Sequence, residues 1–418
     1  MKTMNAQMSR LWNGEEESKG RSAPASTTAA VKLVIAVFVA LVVLVFVISN
    51  SAISKAQSKP QPKPITLSCP NHTAASAVCQ RSPNAAAPTP LHLTATQPSP
   101  TCPEYFRWIH EDLRPWKSTG ITKEMVQRAR KFATFHMVVL DGRVYVQEYF
   151  GHSLSRNVFT FWGILQLISR YPGRVPDFEL IFNCMDMPSV KSTDYNSSAP
   201  PPPLFHYCKD DQTVDILFPD WSFWGWYRIY VEGLAWSVSQ KYIMACNSPT
   251  LFVDTRFVEF FQRGLMPGRH YWPIAADNKC RGIKFAVDWG NAHQEEAQAM
   301  GKASGDFFQQ EVKMDHVYDY MLHALIEYVK LLKYKPTVPE GFTEICMESL
   351  ACSASEKTKS FLLESMEKWT HDAAPCTLPP PFTPEELHQV LERRANAVKQ
   401  VEMWEQKAWE QEQGNKST

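Results

Sequence analysis

The chain has 418 residues, enough for two domains with cores of their own. Its 43 lysines and arginines equal its 43 aspartates and glutamates, so it has no net charge to attract nucleic acid. The hydrophobic fraction of 44% is typical of a globular protein and excludes a mostly disordered chain.

The first element along the chain is an unbroken apolar run at residues 33–48. Residues 29–31 extend it, and Lys32 can reach the interface with its long side chain. The span is then about 20 residues, the length needed to cross a bilayer. A cleaved signal peptide is the alternative, but the run starts late and no clear cleavage site follows it. We therefore predict a cytosolic tail at 1–32 and a transmembrane anchor at 33–49.

The cysteines and glycosylation sequons past the anchor predict its orientation, because basic residues flank both of its ends and do not decide it. All ten cysteines follow the anchor, and none forms a C-x-x-C pair. This pattern favours structural disulfides in an oxidising compartment over a zinc or thioredoxin-type site, with buried free thiols as the alternative for each cysteine. N-glycosylation sequons at Asn71, Asn196 and Asn415 also favour a luminal position for the part after the anchor. We predict a single-pass type II membrane protein of the Golgi or endoplasmic reticulum, with a luminal C-terminal part.

Residues 50–101 are rich in Pro, Ser, Thr and Ala and predict a flexible stem. Folded sequence begins at Cys102, and Asp141-Gly142 between two strand-like runs is a strong hairpin signal. Strands alternating with helices indicate an α/β fold with mainly parallel sheets. The predicted helices lie at 104–113, 160–169, 233–245 and over most of 283–332, and the predicted strands at 133–140, 144–149, 178–182 and 250–253.

The C-terminal tail, residues 336–418, contains one more predicted helix. Thr383 can cap it, Pro384 suits its first position, and Glu386 completes a capping box. A single apolar stripe follows, which predicts a solvated or coiled helix without chemistry.

Asp186 is the strongest candidate for chemistry. It follows the predicted strand 178–182, and open α/β sheets present functional groups at the C-terminal ends of their strands. A carboxylate there can act as a general base. The alternative is that Asp186-Met187-Pro188 forms only a turn.

Two further segments could bind a sugar nucleotide. The aromatic run at 219–226 suits sugar rings and protein cores equally well. Small residues from Gly233 to Ser237 begin a predicted helix, whose free N–H groups could receive a diphosphate. The sequence has no P-loop, H-E-x-x-H or G-x-S-x-G motif. It also has no Asp-x-Asp triplet, the usual metal and sugar-nucleotide motif.

Seven segments, in this order, resemble the Rumi-type protein O-glucosyltransferases, also called the capsule-associated family or glycosyltransferase family 90, and the plant branch most closely. The segments are CPEYF and IHEDL within 102–113, NCMDMP at 183–188, FPDWSFWG at 218–225, EGLAWSVSQKY at 232–242, HYWPI at 270–274 and MDHVYDY at 314–320.

The resemblance implies an inverting, metal-independent transferase with a GT-B-like pair of Rossmann-like domains. Residues 102–226 would form the N-terminal, acceptor-side domain, and 227–335 the remnant of the C-terminal nucleotide-sugar domain. Asp186 matches the family's catalytic base, whereas Gly233, Ser237 and Lys241 match a segment that helps to hold the nucleotide. The implied partners are a UDP-sugar and a protein or polysaccharide acceptor, with the membrane bound through 33–49. Neither a cofactor nor a metal is expected.

The sequence departs from the family after Trp226. The family continues there for several dozen residues that contain an aromatic-Lys/Arg-Gly motif and an arginine, but here Tyr227 follows at once. The second domain is therefore expected to be incomplete, through a splice variant or a gene-model error. Two functions stay open: transfer of a sugar, glucose or xylose, to a hydroxyl, or a catalytically inactive, truncated luminal binding protein or unstable product.

Overall fold

A computed structural model of the protein describes residues 62–67, 69, 79, 99–149, 155–196, 198–220, 239–253, 256–371 and 373–416. All of them belong to one compact unit, Pro62–Thr418. The predicted cytosolic tail and anchor lie outside the described residues. Of the helices that the structure describes, none has both the length and the apolar character that a membrane span requires.

The α/β class predicted from the sequence is confirmed. The strands of the described part are β1 (Phe135–Leu140), β2 (Arg143–Glu148), β3 (Phe178–Asn183), β4 (Phe205–His206), β5 (Ile216–Leu217), β6 (Leu251–Val253), β7 (Trp272–Ile274) and β8 (Thr343–Ile345). Its α-helices are α1 (Trp108–Asp112), α2 (Lys123–Ala129), α3 (Ser155–Arg170), α4 (Gln240–Met244), α5 (Lys279–Ala292), α6 (Gln294–Asp306), α7 (Met314–Val329), α8 (Met347–Ala351), α9 (Glu356–Glu364) and α10 (Pro384–Lys416).

The central sheet has six strands in the order β5-β4-β3-β1-β2-β8. Strand β1 pairs antiparallel with β2 and β3, and β2 pairs antiparallel with β8, so the prediction of mainly parallel sheets is wrong for this sheet. The reason is the hairpin between β1 and β2. A two-residue turn can only reverse the chain, whereas a parallel connection needs a dozen or more residues. Asp141 and Gly142 adopt φ angles of 49° and 71°, as the predicted hairpin turn requires.

The other half of this sheet is parallel and positions the candidate site. Strand β3 pairs parallel with β4, and β4 pairs parallel with β5. Their C-terminal ends therefore lie along one edge of the sheet. The segments that leave this edge carry Asp186 after β3, Cys208 after β4 and Asp220 after β5. A second, two-stranded parallel sheet pairs β6 with β7.

Aromatic side chains fill much of the main core. Phe135 packs edge-on against Phe161 of α3, with ring centres 4.7 Å apart, and Phe205 packs similarly against Tyr328 of α7 at 5.0 Å. All four rings are buried, so α3 and α7 are fixed to the sheet by apolar contacts.

A second core joins the small sheet to the C-terminal helix α10, which is therefore more than a solvated helix. Trp272 of β7 and Val401 of α10 are both buried in this core. The predicted capping box is confirmed, because the Thr383 N–H donates to Glu386 Oε2 at 2.8 Å and the Glu386 N–H donates to Thr383 Oγ1 at 3.2 Å.

Three disulfides join the N-terminal part of the described chain to its C-terminal part. They pair Cys69 with Cys352, Cys79 with Cys346, and Cys102 with Cys376. The prediction of structural disulfides is confirmed for these cysteines, whereas Cys184, Cys208, Cys246 and Cys280 are free thiols. Since Cys69 and Cys79 belong to the predicted stem, part of that segment is attached to the folded unit.

Candidate functional site

Asp186 lies in a turn directly after β3. The Asn183 side chain starts this turn, because its Oδ1 accepts the N–H of Met185 at 2.8 Å. The Asp186 side chain is 34% exposed, so its carboxylate can meet a substrate. The predicted alternatives therefore coexist here, since the segment forms a turn and also presents a carboxylate.

Arg156 holds one oxygen of this carboxylate. It is the second residue of α3, and its Nη1 donates to Asp186 Oδ1 at 2.6 Å and to the Cys184 carbonyl at 3.1 Å. The guanidinium thus fixes the carboxylate to the main chain of the same turn. Oδ2 accepts no hydrogen bond from the described residues. Arg156 was not predicted from the sequence, because it lies 30 positions from Asp186 in no recognisable motif.

A residue that follows β4 contacts the main chain of the Asp186 turn. The Cys208 thiol donates to the Asp186 carbonyl at 3.4 Å, and the Cys208 N–H donates to His206 Nδ1 at 3.1 Å. Burial raises the pKa of the Cys208 thiol and lowers the pKa of His206 to about 4. Both groups are therefore neutral at pH 7. They position the main chain and do not supply a thiolate or an imidazolium.

Asp215 anchors the chain that follows the turn. Its carboxylate is fully buried and accepts the N–H groups of Ser189 at 3.2 Å and Val190 at 3.0 Å. Burial raises the pKa of Asp215 to about 6, against the effect of these two hydrogen bonds. The Asp186 turn is thus fixed at both ends.

Lys241 belongs to a buried cluster at the same edge of the sheet. Its ammonium lies 3.1 and 3.4 Å from the two carboxylate oxygens of Asp220, which follows β5. Both side chains are buried. The other two predicted nucleotide-binding residues, Gly233 and Ser237, lie outside the described residues.

Glu259 is the third member of this cluster and was not predicted. It is 1% exposed, and neither carboxylate oxygen has a hydrogen-bond partner of ordinary geometry within the described ranges. Burial raises the pKa of Glu259 well above its usual value; the charge of Lys241 opposes this, and the nearby Asp220 carboxylate adds to it. The protonated, neutral form of Glu259 is therefore favoured by its burial in the folded protein.

Replacing Glu259 by Gln should stabilise this chain. At pH 7 we expect the free energy of unfolding to rise by about 1–2 kcal/mol, because a neutral amide replaces a carboxyl that must hold its proton to stay buried. A raised carboxyl pKa costs stability only as the pH rises above the unfolded value near 4.5, so the gain in stability from Glu259→Gln should be smaller at pH 5.

Urea unfolding at pH 5 and pH 7 measures this gain in stability. Asp220→Asn is the control and should destabilise, since it breaks the ion pair of Lys241. A loss of stability in Glu259→Gln at pH 7 would show that the carboxylate has an ionic partner.

Asp112, the last residue of α1, forms ion pairs with Arg263 and with Lys209, which follows β4. Arg263 donates to both of its carboxylate oxygens at 2.7 Å, and Lys209 donates to one of them at 2.7 Å. Asp112 is 2% exposed. Because Lys209 adjoins Cys208, this ion pair fixes the chain that supports Asp186.

Comparisons with known proteins identify the family of this chain. The sequence model of the family described as Glycosyl transferase family 90 matches residues 97–226 and 227–405. The chain is 22% identical to bovine (Bos taurus) protein O-glucosyltransferase 1 over 348 residues, covering 59% of this chain and 85% of the relative. It is 21% identical over 353 residues to the human (Homo sapiens) protein of the same name, covering 60% and 86%. For O-glucosyltransferase rumi of Drosophila melanogaster the identity is 19% over 335 residues, covering 56% and 78%.

The same comparisons bear on the predicted gap. The family match breaks between Trp226 and Tyr227, where the sequence predicted a missing block. In the bovine alignment, 59% of 418 residues is about 247, which leaves about 100 of the 348 aligned positions without a residue in this chain. The match on both sides of this gap shows that the chain belongs to glycosyl transferase family 90 and is by family a glycosyltransferase.

Proposed function

We propose that this protein, in a form that contains the missing block, transfers glucose or xylose from a UDP-sugar to a hydroxyl of a protein or polysaccharide, with inversion. The observation that carries the proposal is the position of Asp186. It is a half-buried carboxylate, 34% exposed, at the C-terminal edge of three parallel strands, in a member of a glycosyltransferase family. The names of the bovine, human and fly relatives support glucose as the sugar.

Inversion needs one base on the acceptor side. In a single in-line displacement, the acceptor oxygen forms a bond to the sugar C1 while the bond from C1 to the diphosphate oxygen breaks. The acceptor hydroxyl loses its proton in the same step, and we assign this proton to Asp186. Arg156 holds Oδ1 at 2.6 Å, so Oδ2 is the oxygen that faces the acceptor. Two exposed methionines, Met185 and Met187, flank Asp186 and offer apolar contacts to an acceptor.

The leaving diphosphate needs cationic groups and N–H donors, which the protein must supply when no metal takes part. We propose that the segment 227–335 binds the UDP-sugar through Gly233, Ser237 and Lys241, in a GT-B-like cleft. The parallel sheet of β6 and β7 supports a second Rossmann-like domain in this segment.

For the chain without the block, the alternative of a catalytically inactive protein has separate support. The family draws an arginine and further nucleotide contacts from the block that is absent here. Lys241 already pairs with Asp220, so it is an incomplete replacement. Each lost charge-assisted contact costs about 1.5–3 kcal/mol of binding free energy. We therefore propose that this chain binds UDP-sugars poorly and transfers little sugar, as a truncated luminal binding protein or an unstable product.

A titration with UDP separates the two functions. The full chain is compared with a version that carries the family's block between Trp226 and Tyr227. We expect the restored form to bind UDP at least about tenfold more tightly, since tenfold corresponds to only 1.4 kcal/mol, and to transfer sugar from a UDP-sugar. Equal affinity and equal transfer in the two forms would show that the block is dispensable.

We also propose that the protein is a type II membrane protein of the Golgi or endoplasmic reticulum, anchored by residues 33–49, with the unit Pro62–Thr418 in the lumen. The three disulfides support an oxidising compartment. N-linked glycosylation of this unit requires luminal exposure and therefore tests the topology.

A further inference from the structure

The three sequons differ in what the structure says of them. Asn71 lies outside the described residues, and Asn415 is in the last turn of α10 with a side chain that is not described. Asn196 and Ser198 are both described and exposed, on the loop between β3 and β4. Surface loops are where a bulky, hydrated glycan can be carried without disturbing a core.

The core holds this loop at both ends. At the start, Asp215 binds the N–H groups of Ser189 and Val190. At the end, the indole N–H of buried Trp116 donates to the Pro201 carbonyl at 2.8 Å, and Arg128 donates to the Pro200 carbonyl at 2.8 Å. The sequon thus lies on the projecting part of a fixed loop. A group attached there leaves these anchoring contacts intact.

The carboxamide of Asn196 is oriented by its own turn. Its Oδ1 accepts the N–H groups of Ser198 at 2.9 Å and Ala199 at 3.0 Å. The Asn196 and Ala199 main chains also exchange two hydrogen bonds, at 3.2 and 3.1 Å. Because the oxygen faces the turn, the Nδ2 amide points away from it, and it has no hydrogen-bond partner within the described part of the chain.

We propose that Asn196 carries an N-linked glycan. The donor is a lipid-diphosphate oligosaccharide. Nδ2 forms a bond to the sugar C1, the bond from C1 to the phosphate oxygen breaks, the lipid diphosphate leaves, and the amide loses one proton. The sequon requires a Ser or Thr two positions after the Asn, and Ser198 is that residue. This proposal rests on the luminal topology proposed above.

The experiment uses the full chain expressed in a eukaryotic secretory host. Peptide N-glycosidase in heavy-oxygen water converts a glycosylated Asn to an Asp that carries the heavy isotope, and mass spectrometry then reads the peptide with residue 196. We expect most chains to carry the label there. Asn196→Gln and Ser198→Ala should each remove one glycan from the intact mass. Ser198→Thr is the matched control: it keeps the hydroxyl and should retain the glycan.

An unlabelled Asn196 overturns the proposal, and the disulfides then show why. If the pairs Cys69–Cys352, Cys79–Cys346 and Cys102–Cys376 have formed, the chain has entered the lumen and only the glycan site is wrong. If these cysteines are reduced, the topology fails as well. Loss of the label in Ser198→Thr, with Asn196 labelled in the parent chain, would show that the site does not follow the sequon rule.

Discussion

Replacing Asp186 by Asn in the form that contains the missing block should lower its turnover number by about 10²–10⁴-fold, the usual contribution of a positioned general base. The amide keeps the shape of the side chain but cannot accept the acceptor's proton. Affinity for UDP should not change, because we assign the carboxylate to the acceptor side and the diphosphate to the segment 227–335. Steady-state kinetics with a UDP-sugar and a UDP titration measure the two quantities separately.

Two further variants make this result specific. Asp194→Asn changes an exposed aspartate of the same loop and should leave turnover unchanged. Arg156→Gln removes the cation that holds Asp186 Oδ1, so turnover should fall less than in Asp186→Asn. Near-normal turnover in Asp186→Asn would assign the base to another residue.

Replacing Asp112 by Asn should lower the free energy of unfolding by about 3–5 kcal/mol at pH 7, because it leaves Arg263 and Lys209, whose side chains are only 10% and 17% exposed, without their shared anion. Burial raises the pKa of Asp112, but the charges of Arg263 and Lys209 outweigh this and lower it below its usual value. The ion pair therefore stabilises the protein fully above pH 3.8, and this stabilisation is lost as the pH falls through the lower, folded pKa.

Urea unfolding between pH 3 and pH 7 measures this prediction, and the variant should lack the part of the acid transition that belongs to Asp112. Asp288→Asn is the control. It removes an exposed ion pair with Lys284, four residues earlier on α5, and should change stability by less than about 1 kcal/mol. A similarly small change in Asp112→Asn would mean that Arg263 and Lys209 find other partners.

Local patterns predicted local structure well. Asp141-Gly142 predicted the hairpin because a two-residue turn needs positive φ angles, and Thr383 with Glu386 predicted the start of α10 because both caps lie within four residues. Strands β4 and β5 were missed, since two residues are too few to show a period.

The site was only partly predictable, for a related reason. The position of Asp186 after a buried strand was readable, but its partner Arg156 is 30 residues away. Likewise, the family resemblance predicted Lys241 as a nucleotide contact, while Asp220, which pairs with it, is 21 residues away. Such pairs depend on which strands and helices become neighbours, and neither composition nor spacing specifies that.

The three disulfides make the protein a set of covalent rings, and the junction between Trp226 and Tyr227 lies inside every one of them. One cut anywhere in the backbone between Cys102 and Cys346 would leave a single molecule under non-reducing conditions. Ring closure entropy changes by only about 0.6 kcal/mol when a loop doubles in length. These rings enclose 267 to 283 residue steps, so adding or removing a block of about 100 residues changes their closure entropy by less than that. The same cysteine pairs can therefore close a longer and a shorter version of this protein almost equally well.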